Sequence, residues 1–154
     1  MGVVEFSETF SSPVPAPKLF KGWFIDSHTL LPKIAPDHVK SVVVEGSGGP
    51  GSIYHITFGD VVPIKFVKFK VDVLDESTMT YADTVVEGGE LSEKILKVTH
   101  EVKFETSPEG GCSATSVVKF DIKEGSTLSE DEVKDGKEGA FGLLKAVEAY
   151  LLAN

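Results

Sequence analysis

Residues 41–58 read SVVVEGSGGPGSIYHITF and place a glycine-rich loop between two segments that have strand composition. Gly46, Gly48 and Gly51 have the G-x-G-x-x-G spacing of a dinucleotide-binding fingerprint, which requires a helix to open at the last glycine. Residues 52–58 are instead rich in β-branched and aromatic side chains, and this composition predicts a second strand. The loop is therefore predicted to join two antiparallel strands, and no cofactor is expected.

The same pattern continues along the chain. From residue 39 to residue 122, strand-forming segments alternate with clusters of Gly, Pro, Asp, Glu and Ser, which predicts an antiparallel meander. An N-terminal strand, in which every second residue from Val4 to Phe10 shares one face, brings the predicted sheet to seven strands. The other six predicted strands are centred on Val43, Ile56, Val67, Tyr81, Val98 and Val118.

The predicted helices flank this sheet. Two short helices are predicted over residues 18–26 and 30–35, where prolines limit their length. Ser129 and Glu132 match a capping box, and apolar residues at helical spacing then predict a helix about 36 Å long. Only the concave face of a sheet supplies an apolar surface of that length. The predicted fold class is α+β, a single domain over residues 1–154 with a seven-stranded antiparallel sheet wrapped around a long C-terminal helix.

Composition and charge exclude several classes of function. A net charge of −9 disfavours nucleic acid as a partner, because phosphate binding needs a basic surface. No segment approaches the ~20 apolar residues of a membrane span, and the N-terminus lacks the features of a signal peptide. The single cysteine, Cys112, fits a reducing compartment, and the four histidines lack metal-binding spacing. A monomeric cytoplasmic protein with no metal, nucleic-acid or membrane partner is expected.

Four motifs carry a resemblance to a known family. They are EGSGGPGSI at residues 45–53, EGG at 87–89, LPKIAP at 31–36 and KAVEAYLLAN at 145–154. Together they resemble the plant pathogenesis-related class-ten proteins, the family of the major birch pollen allergen, over the whole chain. The resemblance implies a START-like helix-grip fold, in which two short helices form a V beneath the long helix. It also implies a role in plant defence and a large cavity for apolar metabolites such as cytokinins, flavonoids, sterols and fatty acids.

Two ionisable residues are predicted to point into that interior. Strand alternation places Asp83 on the same face as Tyr81 and Val85, and it gives His100 the phase of Val98 on the next strand. Many members of the family have an aromatic residue at position 83, so the carboxylate is a departure. A buried carboxylate must find a partner or stay protonated, unless it turns to solvent at the strand end. Asp83 and His100 are in position to pair.

Three glycines recur along the predicted C-terminal helix at Gly136, Gly139 and Gly142. They either permit close packing or a bend, or they keep the helix–sheet interface hollow so that a ligand can lie there. The cavity implied by the resemblance favours the second interpretation.

The predicted function is binding of hydrophobic plant small molecules, with apolar residues supplying affinity and polar residues orienting the ligand. The alternative is an enzyme of specialised metabolism, since some members of this broad family catalyse condensation or isomerisation. Its candidate acid/base groups are Asp83, His100 and Tyr81. The predicted lining consists of Phe24, Leu31, Tyr54, Ile56, Phe58, Phe66, Tyr81, Asp83, Val85, Val98, His100, Val102, Ser116, Val118, Phe120, Phe141 and Leu144.

Ribonuclease activity is disfavoured. Glu148 and Tyr150 match positions invoked for that activity in the family, but Leu96 stands where a further acidic residue is expected and Tyr54 replaces a lysine. The acidic chain also offers no basic track for RNA.

Overall fold

The computed structural model describes residues 2–153, and within this range it describes all side chains except those of residue 130 and residues 132–141. The strands are β1 (Gly2–Ser12), β2 (Val39–Glu45), β3 (Ile53–Phe58), β4 (Phe66–Asp75), β5 (Thr80–Gly88), β6 (Ile95–Thr106) and β7 (Cys112–Ile122). The helices are α1 (Ala16–Phe20), α2 (Ser27–Ile34) and α3 (Glu130–Ala153), and a π-helical turn, Lys21–Ile25, extends α1.

The seven strands form one antiparallel sheet in the order β1-β7-β6-β5-β4-β3-β2. Strands β2 to β7 pair in chain order, because each is joined to the next by a short connection. Strand β1 pairs with β7 and so lies at the opposite edge from β2. The predicted meander and the α+β helix-grip fold class are confirmed.

The helices close one end of the sheet. Helix α1 begins after Pro15 and contacts β6 and α3, whereas α2 contacts β2 and α3. Helix α3 has 24 residues, and Leu144 and Val147 in its second half are buried against the short helices. No helix of the described residues is long and apolar enough to span a membrane.

The glycine-rich loop connects β2 to β3, as predicted. Its backbone is bonded to the protein itself, because the Gly48 N–H donates to Ser52 Oγ at 2.8 Å and the Gly51 N–H donates to the Val71 carbonyl at 2.8 Å. The Tyr54 hydroxyl donates to the Gly48 carbonyl from the inner face of β3. These bonds fold the loop back onto the sheet and occupy N–H groups that a phosphate cradle would need.

Two buried apolar clusters lie on the inner side of the sheet. The first lies under the short helices and includes Phe20, Phe24 and Phe104. The second lies further along the sheet and includes Val98 and Phe120.

Candidate functional site

A hydrogen-bonded array of three side chains lies on the inner face of the sheet. Asp83 on β5 stands opposite His100 on β6, and its carboxylate is 2.7 Å from His100 Nδ1. The other carboxylate oxygen accepts the Tyr81 hydroxyl at 2.6 Å. The sequence left open whether Asp83 and His100 pair; the structure pairs them, and Tyr81 completes the array. Because Asp83 is an acceptor, Nδ1 carries the ring proton of a neutral His100.

The array separates the two apolar clusters. Tyr81 belongs to the cluster under the short helices, whereas Val85 and Val98 belong to the other. Asp83 and His100 occupy the intervening positions of β5 and β6. A charge in such surroundings is stable only when it is paired and hydrogen-bonded, which the array provides.

The array favours the protonated form of His100. Burial lowers the pKa of His100, but the charge and hydrogen bond of Asp83 and the charge of Glu90 outweigh burial, so the pKa lies above its usual value. Nε2 has no hydrogen-bond partner among the described residues and is not one of their buried unsatisfied atoms. The hydrogen bond from Nδ1 to Asp83 therefore fixes the tautomer of the His100 ring, and Nε2 remains available to a ligand.

Tyr81 serves the array as a hydrogen-bond donor. Burial, followed by the charge of Asp83, raises the pKa of Tyr81 well above its usual value, so the hydroxyl keeps its proton. Its ring stacks on Phe24 with the centroids 4.0 Å apart. This stacking links the polar array to the helix side of the interior.

Glu90 lies near the array in the β5–β6 connection, and strand alternation did not find it. It follows Gly88 and Gly89, both with positive φ, where a Cβ on Gly88 would lie 2.5 Å from the Phe66 carbonyl. Glu90 Oε2 is buried and has no hydrogen-bond partner among the described residues. Burial and the charge of Asp83 raise the pKa of Glu90, and His100 opposes them. The glycine pair was the signal in the sequence that the chain turns sharply here.

Most of the predicted lining residues are placed on the inner side. Buried members are Phe24, Leu31, Tyr54, Tyr81, Asp83, Val85, Val98, Phe120 and Leu144. Half-buried members are Ile56, Phe58, His100, Val102, Ser116 and Val118. The side chain of Phe141 lies outside the described residues, as do Gly136 and Gly139. Gly142 is exposed with no atom within 4 Å of an added Cβ, so it does not support the close-packing interpretation.

The prediction that Phe66 lines the interior is wrong. Phe66 pairs with Thr57, which faces away from the inward Ile56, and its ring contacts His55 on the outer face with centroids 5.5 Å apart. Strand β4 begins at Phe66, so the residues before it are not in a strand and do not show which face Phe66 occupies.

The inner face of the sheet keeps accessible surface. The His100 side chain is 29% exposed, against 9% for Asp83. Apolar residues on the same face are also only half-buried, among them Phe58, Phe69 and Val118. This surface is available for contact on the inner face of the sheet. Within the described part of the chain, no group of three or more His, Cys, Asp or Glu is placed to hold a metal ion.

The family assignment rests on the whole chain. The family model described as the pathogenesis-related protein Bet v 1 family matches residues 1–154. The chain belongs to the Bet v 1 family. Among Bet v 1 relatives, it is 41% identical to the major allergen Pru ar 1 of Prunus armeniaca, covering 100% of this chain and 97% of that protein. It is 43% identical to the major pollen allergen Aln g 1 of Alnus glutinosa, with the same coverage.

Solved structures show the same Bet v 1 fold. The crystal structure of Ara h 8.0201 is similar with a TM-score of 0.88 and 36% identity, covering 99% of this chain and all of that one. Norcoclaurine synthase from Thalictrum flavum, in complex with dopamine and hydroxybenzaldehyde, has a TM-score of 0.77 and 17% identity. That alignment covers 99% of this chain and 88% of the synthase chain, and it shows the fold alone.

Proposed function

We propose that this chain is a cytoplasmic plant defence protein that binds hydrophobic small molecules between the sheet and α3. The observation that carries the proposal is accessible surface on the inner face of the sheet, where the His100 side chain is 29% exposed and neighbouring apolar residues are half-buried. An enclosed space with mostly apolar walls and a few convergent polar groups is the usual form of a small-molecule site.

The two kinds of wall residue have separate roles. Half-buried Ile56, Phe58 and Val102 gain burial when a ligand covers them, at ~25 cal/mol per Å² of apolar area. His100 and Glu90 supply polar groups that fix the orientation of the ligand. Norcoclaurine synthase, whose structure is described with dopamine and hydroxybenzaldehyde, gives a precedent for aromatic ligands in this fold.

Uptake of an apolar fluorophore tests the proposal. We expect N-phenyl-1-naphthylamine to gain fluorescence on binding the protein and to be displaced by cytokinins or flavonoids. Val118→Phe should weaken this binding about tenfold or more, because Val118 is half-buried opposite His100 and a larger side chain fills the space. The matched control is Val117→Phe, since Val117 is the residue before Val118 in β7 and faces outward opposite Glu101.

Two results would contradict the binding proposal. One is the absence of any displaceable fluorescence with the unaltered, folded protein. The other is an equal loss of affinity in the Val118→Phe and Val117→Phe variants, which would place the fluorophore outside the interior.

The hydrogen-bonded array also supports a second candidate function, an enzyme that condenses or isomerises a bound substrate. His100 Nε2 would take a proton as general base while Asp83 orients the ring, and Glu90, with its raised pKa, would return one as general acid.

An assay with plant amine–aldehyde pairs tests this enzymatic function. We expect turnover that is lost in Asp83→Asn and His100→Ala while fluorophore affinity is kept. The absence of turnover in the unaltered protein would leave binding as the function.

A further inference from the structure

His100 is the most accessible polar group of the array, and its chemistry restricts the ligand. Nδ1 is bound to Asp83 at 2.7 Å, so the remaining interaction site of the ring is Nε2. Asp83 in turn holds Tyr81, which fixes the carboxylate on two sides. We propose that His100 Nε2 binds the acidic hydroxyl of a phenolic ligand and holds it as a phenolate against the imidazolium. This inference rests on the proposed function of binding hydrophobic small molecules.

The proton balance of this step is simple. When His100 is neutral, the phenol O–H bond breaks and its proton passes to Nε2, forming the N–H bond of the imidazolium. When Nε2 already carries a proton, the phenol releases its own proton to water and the phenolate accepts a hydrogen bond from Nε2. Both routes give the same pair, and the step needs no oxidant or reductant.

The charges around His100 favour a phenol over other polar ligands. An amine that binds as an ammonium would meet the imidazolium that Asp83 and Glu90 stabilise. A ligand carboxylate would bring a permanent negative charge next to two buried carboxyl groups. Proton transfer from a phenol to neutral His100 leaves the net charge of the site unchanged, and on either route the phenolate forms a charge-assisted hydrogen bond with the imidazolium. The ring of the ligand would lie against half-buried aromatic residues such as Phe58 and Phe69.

Among the described side chains, the other ionisable groups that face His100 come from three elements. Asp83 and Tyr81 lie on β5, and Glu90 lies in the β5–β6 connection. Glu8 on β1 stands opposite Ser116, on the same inner face as Val118, the β7 partner of His100. Asp83 favours the imidazolium at every pH at which it is ionised. Glu90, when ionised, opposes the phenolate.

Absorbance of 4-nitrophenol tests the inference, since its phenolate and phenol forms absorb at different wavelengths. Displacement of N-phenyl-1-naphthylamine first establishes that 4-nitrophenol enters the interior. At one fixed pH, we expect the ratio of phenolate to phenol for the bound probe to exceed that of the free probe about tenfold, the effect of one hydrogen bond to a charged group. Asp83→Asn and His100→Gln should return the ratio to that of free 4-nitrophenol. His55→Gln, which alters a histidine on the outer face of β3, should leave it raised.

The outcomes separate this inference from the proposed function. If 4-nitrophenol displaces the fluorophore but titrates as it does in water, the phenolate site is refuted and the binding function stands. If the fluorophore itself is not taken up, the binding function fails. The unaltered protein alone decides between these results, so the inference stays testable even if a variant does not fold.

Discussion

Replacing Phe104 with alanine should lower the free energy of unfolding by about 3–5 kcal/mol, the range for deleting a fully buried aromatic side chain. Phe104 is 1% exposed and lies on β6 beneath the short helices. Its ring makes edge contacts with Phe20 and Phe24, with centroids 5.6 and 5.9 Å away. It therefore joins the sheet to α1 and the π-helical turn, and no neighbouring side chain can fill the space without leaving its own contacts. Urea denaturation followed by circular dichroism measures the change.

Phe66→Ala is the matched control for this experiment, because it removes the same side chain from the outer face of the sheet. Phe66 contacts His55 there and belongs to neither buried cluster. We expect its loss to cost about 1 kcal/mol, since partly exposed positions lose less burial and leave no closed cavity. Equal losses for the two variants would mean that the inner and outer faces of β4 and β6 are assigned wrongly.

The sequence supports face assignments wherever strand alternation is uninterrupted. Tyr81, Asp83 and Val85 alternate without a break, and the phase of His100 on the next strand was equally clear, so their proximity could be predicted. The prediction failed for Phe66 because its face was taken from residues that precede β4, where there is no strand alternation. Pairing with Thr57 across the β3–β4 connection decides which way Phe66 points.

Strand alternation also fails to predict side-chain directions at β-bulges and in loops. The register of β4 shifts between Val71 and Val73, so Val73 becomes 40% exposed and Leu74 takes the inward position opposite Tyr81. Simple alternation places Val73 inside, since it cannot locate an extra residue such as Asp72. Glu90 was missed for a related reason, because a loop residue has no alternation and its direction depends on contacts of the glycine turn with Phe66.

The family resemblance identified the fold, but it does not supply the chemistry of this interior. Asp83 holds both His100 and Tyr81. The array exists because a carboxylate at this position has a histidine directly opposite it on β6. One residue on each of two adjacent strands thus gives an otherwise apolar wall an ionisable site.

Replacing Asp83 with asparagine should reverse the pH dependence that His100 gives to stability. In the unaltered protein the folded-state pKa of His100 is raised, so its contribution is fully present below the ordinary histidine pKa of about 6.5 and is lost as the pH rises through the folded value. Without the Asp83 charge, burial is the largest remaining influence and lowers the pKa of His100. The contribution is then present above the ordinary pKa and is lost as the pH falls. NMR titration of the His100 ring and urea unfolding between pH 5 and 8 measure the two effects.

The loss of stability in Asp83→Asn shows whether the contact between Asp83 and His100 is a charge-assisted hydrogen bond or contributes little to the free energy of unfolding. A hydrogen bond to a charged group contributes about 1.5–3 kcal/mol, so Asp83→Asn should lose roughly that much stability at the acidic end of the range and much less at the alkaline end. Asp72→Asn is the matched control, because Asp72 is an exposed acid on β4 that accepts a hydrogen bond from Thr84. It should leave the titration of His100 unchanged. An unchanged His100 pKa in Asp83→Asn would show that the carboxylate does not hold the ring proton, and the phenolate site would lose its physical basis with it.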